Sequence, residues 1–165
     1  MSLNHEVSRL DSGQSLAALP GAGWFYEIQL GMSADAVIDK IKAAVHQIVS
    51  VSAEAWPSDD EWRLRLPPWL LKVLPVMSRE ECQKLIAKTP KNLWHTLPWE
   101  YGSWLDAIKF RNWRWWGYSV RGSQLNLVLE ILSEPAGLEA FEVIVKAAGG
   151  IVARDHRMTA RDQSA

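Results

Sequence analysis

The chain has 165 residues, 48% hydrophobic and 22% charged, with a formal net charge of −1 at pH 7. That length suits a single domain that buries its own core without staples, and the composition excludes the disordered and fibrous classes. The near-zero charge argues against a dedicated nucleic-acid binder, which carries a clear positive excess.

The charges are unevenly spread. From Lys84 to Arg121 seven basic residues face only Glu100 and Asp106, whereas Glu130 to Glu142 holds four acids and no base. This fits steering toward a charged partner or ordinary mixed solvated faces. The single Cys82 excludes a disulfide within the chain and fits a reducing compartment. The opening MSLNHEVSRLDSGQS has no apolar run and does not read as a secretory signal. The most apolar stretch, Pro67 to Met77, contains Lys72, is broken by Pro75, and falls far short of the roughly 20 residues a membrane span needs. A cytoplasmic protein with no membrane segment is expected.

In chain order, residues 1–20 are polar and aperiodic and read as a flexible arm ending at a Gly21-Ala22-Gly23 turn. Trp24 to Leu30 alternates, with Trp24, Tyr26, Ile28 and Leu30 on one face, and predicts a half-buried strand. Ser33 then suits an N-cap, and Val37, Ile41, Val45 and Ile48 recur at helical spacing. The β-branched Ile48 to Val51 suggests a strand, so the helix is expected to end near His46 and the chain to begin β-α-β. Pro57 to Asp60 reads as a turn, and the alternating Trp62, Leu64 and Leu66 as a short strand stopped by Pro67-Pro68.

A helical insertion is expected over about 67–111. Within it Ser78-Arg79-Glu80-Glu81 is a capping box that should start a helix ending near Lys88, and Ser103 to Phe110 should be helical. Trp113 to Arg121 and Leu125 to Leu132 read as a hairpin around Gly122-Ser123, a loop suited to a type II′ turn. The second strand is apolar on both faces and should lie centrally. A helix opened by Glu134-Pro135 presents Leu138, Phe141, Ile144, Val145 and Ala148 on one side, with Glu142 and Lys146 paired outside. Gly149-Gly150 ends it, Ile151 to Ala153 offers a last strand, and 155–165 reads as a flexible tail. The fold class is α+β: a mainly antiparallel sheet with helices packed on one face, in one domain over 21–154.

Chemical signatures are weak. His5, His46, His95 and His156 stand apart with no metal-ligand spacing, and no cofactor motif occurs. Cys82 starts a helix but has Glu80 and Glu81 beside it, so it reads as a packing residue. Gly117 to Gly122 is GxSxxG within a predicted hairpin, not a nucleophile elbow. Gly21-Ala22-Gly23 precedes a strand, the wrong side for a dinucleotide turn. Asp59-Asp60-Glu61 lacks calcium-loop spacing. No catalytic residue is assigned.

What stands out is Trp94 to Arg121, which holds nine of the sixteen aromatic residues (ten Trp, three Tyr, three Phe) interleaved with Lys109, Arg111, Arg114 and Arg121. Such rings either fill a core or anchor a partner. Strand alternation puts rings on both sheet faces, which predicts Trp113 and Trp115 buried, with Arg114, Trp116 and Tyr118 exposed. Those three, with Trp99, Tyr101 and Arg111, form the expected protein interface. The alternative is an enzyme or carbohydrate-type ligand pocket under the insertion, with Glu100, Asp106 and His95 converging in it. Nothing in the sequence fixes or forbids a homo-oligomer.

The segment Gly122 to Gly150, GSQLNLVLEILSEPAGLEAFEVIVKAAGG, resembles in general character the strand-then-helix ending of small bacterial immunity proteins of toxin systems. That resemblance covers under a fifth of the chain. It implies a non-catalytic, Trp-rich cytoplasmic protein whose partner is a cognate toxin, and it designates no site residue.

Overall fold

The computed structural model describes residues 3–12, 16–159 and 162. The fold is α+β, with a four-stranded antiparallel sheet in the order β2-β3-β1-β4. Its strands are β1 (Gly23–Gln29), β2 (Trp113–Arg121), β3 (Gln124–Ile131) and β4 (Ile151–Arg157). As its two apolar faces imply, β3 lies inside the sheet, between β2 and β1. The β2–β3 loop turns through Gly122 at φ +58°, a left-handed value that glycine adopts without strain, while Ser123 keeps a negative φ.

Strand β2 carries a bulge that the alternation rule does not anticipate. Trp115 sits opposite Leu129 but Gly117 opposite Val128, so Trp116 is the extra residue. Past it the side-chain parity reverses. Tyr118 and Val120 join Trp113 and Trp115 on the face shared with Leu125, Leu127, Leu129 and Ile131. This face is the core. Two helices cover it, α2 (Ala34–Val49) and α7 (Leu138–Ala148). The Phe141 ring of α7 meets Tyr26 at 5.6 Å and Trp113 at 5.2 Å.

The helix read as ending near His46 continues to Val49, and the expected strand over Ile48 to Val51 does not form. Ile48 and Val49 are fully buried and extend the row begun by Ile41 and Val45. Their burial outweighs the modest helix penalty of β-branched side chains. Ser33 closes a 3-10 turn and makes no side-chain cap bond. The strand expected at Trp62 to Leu66 is likewise a helix, α3 (Asp59–Arg65), started by a complete Ser58–Glu61 capping box. Trp62 and Leu66, four apart, are buried, while Leu64 is 88% exposed. The insertion continues with α4 (Pro68–Leu71), α5 (Arg79–Lys88), a 3-10 turn over Lys91–Thr96 and α6 (Tyr101–Lys109). The predicted Ser78–Glu81 box starts α5.

Residues 1–20 were expected to be a flexible arm, but Leu3–Asp11 form a helix, α1, docked on β2 and α2. Leu10 enters the core, and Glu6, 3% exposed, turns its carboxylate to the outer edge of β2. Glu6 Oε1 accepts the Trp115 backbone N–H at 2.7 Å, and Oε2 pairs with Arg111 at 3.1 Å. On the far sheet face Pro20 and Met158 approach Gly23. Gly23 is needed there, because a Cβ would fall 2.6 Å from the Met158 sulfur and 2.9 Å from a Pro20 ring carbon. The tail expected from 155 onward is in strand to Arg157, held by pairing with β1, by the Trp24 indole on Asp155 at 2.8 Å, and by an Arg157–Glu134 ion pair. Positions 1–2 and 13–15 of the expected arm, and 160–161 and 163–165 of the tail, lie outside the described residues. Among the described residues no helix is long and apolar enough to cross a membrane.

Candidate functional site

Most of the expected Trp/Tyr/Arg interface is taken up by the fold. Tyr118, 7% exposed, lies in the core beside Trp115 because of the bulge. Trp116, 9% exposed, lies on the far face with Arg9 stacked 3.6 Å from its ring centre and its indole N–H donating to Ala18 O at 2.6 Å. Tyr101 is buried, and its hydroxyl donates to Asp59 O at 2.6 Å, tying α6 to α3. Arg111 is committed to Glu6, and Arg114 is half-buried opposite Glu130. The prediction held for Trp113 and Trp115, which are buried, and failed for Trp116 and Tyr118. Of the six, Trp99 lines an open cavity.

That cavity is a groove of about 1130 Å³ beneath the insertion. Helix α5 forms one wall with Cys82, Leu85 and Ile86, and buries no residue in the body of the protein. The connection through Val73, Pro75 and Met77 and the segment Trp94 to Glu100 close the sides. Helix α7 supplies the floor, with Val143 and Ala147 between Glu139, Glu142 and Lys146. The walls are mainly apolar and a few polar groups converge, the usual make-up of a small-ligand site.

Sequence reasoning brought two of its three pocket candidates here. His95 and Glu100 line the groove, but Asp106 is an exposed residue of α6 outside it, so the proposed three-residue convergence does not occur. Glu100 is already engaged, as the N-cap of α6 it accepts the Ser103 N–H at 2.8 Å. Burial raises its carboxyl, but N–H donors from Gly102, Ser103 and Met77 outweigh burial and hold it below the ordinary range.

The group that reasoning missed is Glu142, read there as an outward partner of Lys146. The pair exists at 3.7 Å, but the Glu142 side chain is only 24% exposed, against 65% for Lys146. The hydroxyl of fully buried Tyr26 donates to its Oε1 at 3.3 Å. Burial, followed by the negative charges of Asp155 and Glu139, raises the Glu142 carboxyl against the opposing pull of Lys146 and Tyr26. Burial and the same acids raise the Tyr26 phenol, so it stays a neutral donor. One signal in the sequence marked this surface: α7 is apolar beyond a single stripe, with Val143 and Ala147 off its core row, as expected of a helix facing something on two sides. Among the described residues no three His, Cys, Asp or Glu side chains gather as a metal site would require. No known protein family, curated protein or solved structure was found to match this chain.

Proposed function

We propose that the protein is a non-catalytic binding protein whose recognition site is the groove between α5 and α7, and that it takes up an apolar or amphiphilic small ligand. The observation that carries this reading is the cavity itself, about 1130 Å³ and walled by Leu85, Ile86, Trp99 and Val143. A carbohydrate platform fits less well, because most of the groove surface is apolar. With one cysteine in the chain, half-buried in this wall, a reducing, cytoplasmic setting suits the protein.

The test uses an environment-sensitive apolar dye. Leu85→Asp and Ile86→Asp place charges in the groove on a helix that buries nothing in the core, so the fold should persist. Dye affinity is expected to fall about tenfold or more in each variant, with an unchanged far-UV melting curve. Unaltered dye binding in both variants would remove the groove as the recognition site.

A second reading, immunity-type neutralisation of a toxin, draws support from exposed apolar residues in and beside the groove: Val76, Ile86, Leu93 and Trp94. Ile86 and Trp94 share the groove wall, where exposed apolar surface suits a protein partner. Co-expression of the toxin encoded by a neighbouring gene tests it. Rescue of growth by the wild-type chain and loss of rescue with Trp94→Asp would support it, and equal rescue by both would count against this patch.

A further inference from the structure

The groove has a half-buried, only partly paired carboxylate at its floor, and this narrows the ligand. Glu142 is the one lining carboxylate that is both largely desolvated and incompletely paired. Its ordered partners are the Tyr26 hydroxyl at 3.3 Å and the Lys146 ammonium at 3.7 Å, beyond good hydrogen-bonding distance. An ionised carboxylate has about four acceptor positions, so room for further donors remains. The other lining acids differ. Glu100 is consumed by the α6 cap, and Glu139 is exposed one turn away on α7. The lining bases, Lys72 and Lys146, are both solvent-exposed. Glu142 touches Tyr26 from β1 and Lys146 from α7 and feels the charges of Glu139 from α7 and Asp155 from β4, three acids counting Glu142 itself against one base. Asp155 is held in place by the Trp24 indole.

We infer that the groove selects a ligand with an apolar body and a cationic nitrogen, the nitrogen docking on Glu142. This deepens the proposed function and rests on the groove being the binding site. A cation entering above Glu142 gains a charge-assisted hydrogen bond in a half-dry setting and offsets the acids behind it. A carboxylate head there meets like charge, and a hydroxyl head gains only a neutral bond. Discrimination therefore comes from repulsion as well as attraction. Binding a cation stabilises the ionised form of Glu142, so uptake should weaken as acidification protonates that carboxyl.

Three probes with the same chain, decylamine, decanol and decanoate, separate the head group from the apolar body. Each is titrated below its aggregation threshold against the dye-loaded wild-type protein and the Glu142→Gln variant. In the wild type, decylamine should displace the dye at about a tenfold lower concentration than decanol, with decanoate weakest. In Glu142→Gln the amine and the alcohol should become equal, each read against that variant's own dye affinity. Equal displacement by amine and alcohol in the wild type, preference for decanoate, or an amine preference that survives Glu142→Gln each overturns the head-group assignment while leaving the groove as a site. A wild-type protein that binds neither dye nor any probe overturns the groove itself.

Discussion

Glu6 and Glu142 are two carboxylates with opposite fates on burial. Glu6 lies almost wholly out of water but meets a backbone N–H and a guanidinium, so its charge is matched. Truncating it strands Arg111, whose side chain is 14% exposed, and orphans an edge N–H. Glu6→Ala is therefore expected to cost about 3 kcal/mol in urea denaturation, and Glu6→Gln, which can still accept from Trp115, clearly less. A loss below about 0.5 kcal/mol for Glu6→Ala would mean that α1 is not docked as described. Glu142 is poorly matched, and its raised carboxyl fixes the sign of a pH effect. The folded protein takes up this proton at higher pH than the unfolded chain does. The group thus favours the fold below the ordinary carboxylate range, and that contribution is lost as pH rises through the raised value. Glu142→Gln should raise the thermal midpoint at neutral pH and leave it unchanged near pH 3, below the ordinary carboxylate range, where the wild-type residue is protonated in both states. A lower midpoint at neutral pH would show that the Lys146 pair outweighs desolvation.

At the scale of elements, α3 offers a direct comparison between two sequence periods. As a helix it buries Trp62 and leaves Leu64 in solvent; as a strand it would put both on one face. Trp62→Ala should cost about 3–5 kcal/mol, whereas Leu64→Ala should stay within about 0.5 kcal/mol. Ser58→Ala should cost about 1 kcal/mol through the lost cap. Comparable losses at Trp62 and Leu64 would revive the strand. The S-x-x-E signal at Ser58 was as plain as the one at Ser78, but the short alternation after it competed, and a period of two over five residues is weak against a capping box. Where periodicity was long, as in β1, β3 and α7, the elements follow the pattern. Where one residue decides the outcome, as with the Trp116 bulge, no local pattern reveals it, and the side chains that meet it, Glu6 and Arg9, lie some hundred residues earlier. The groove was half legible. Trp99, His95 and Glu100 belong to it, but its acidic floor depends on how α7 meets β1 and β4, which is a tertiary fact.

For the molecule as a whole, stability should be distributed unevenly. The sheet, α2 and α7 share one core, while α5 buries no side chain and stands across the groove from α7. Amides over Arg79–Lys88 should exchange by local opening, orders of magnitude faster than those of β3, and should slow when decylamine fills the groove. Mass-resolved hydrogen exchange with and without the amine checks both points, and equal protection of α5 and β3 would contradict this division. The hold of Glu6 on Trp115 spans 109 positions of sequence. At about 5–20 residues per second of synthesis, α1 leaves the ribosome roughly 5 to 20 seconds before the strand it seals. Until then Leu10 has no core to enter and Glu6 no amide to accept. Helix α1 is thus made well before it can be sealed, and a nascent chain paused before Trp113 carries it without the strand edge that Glu6 holds.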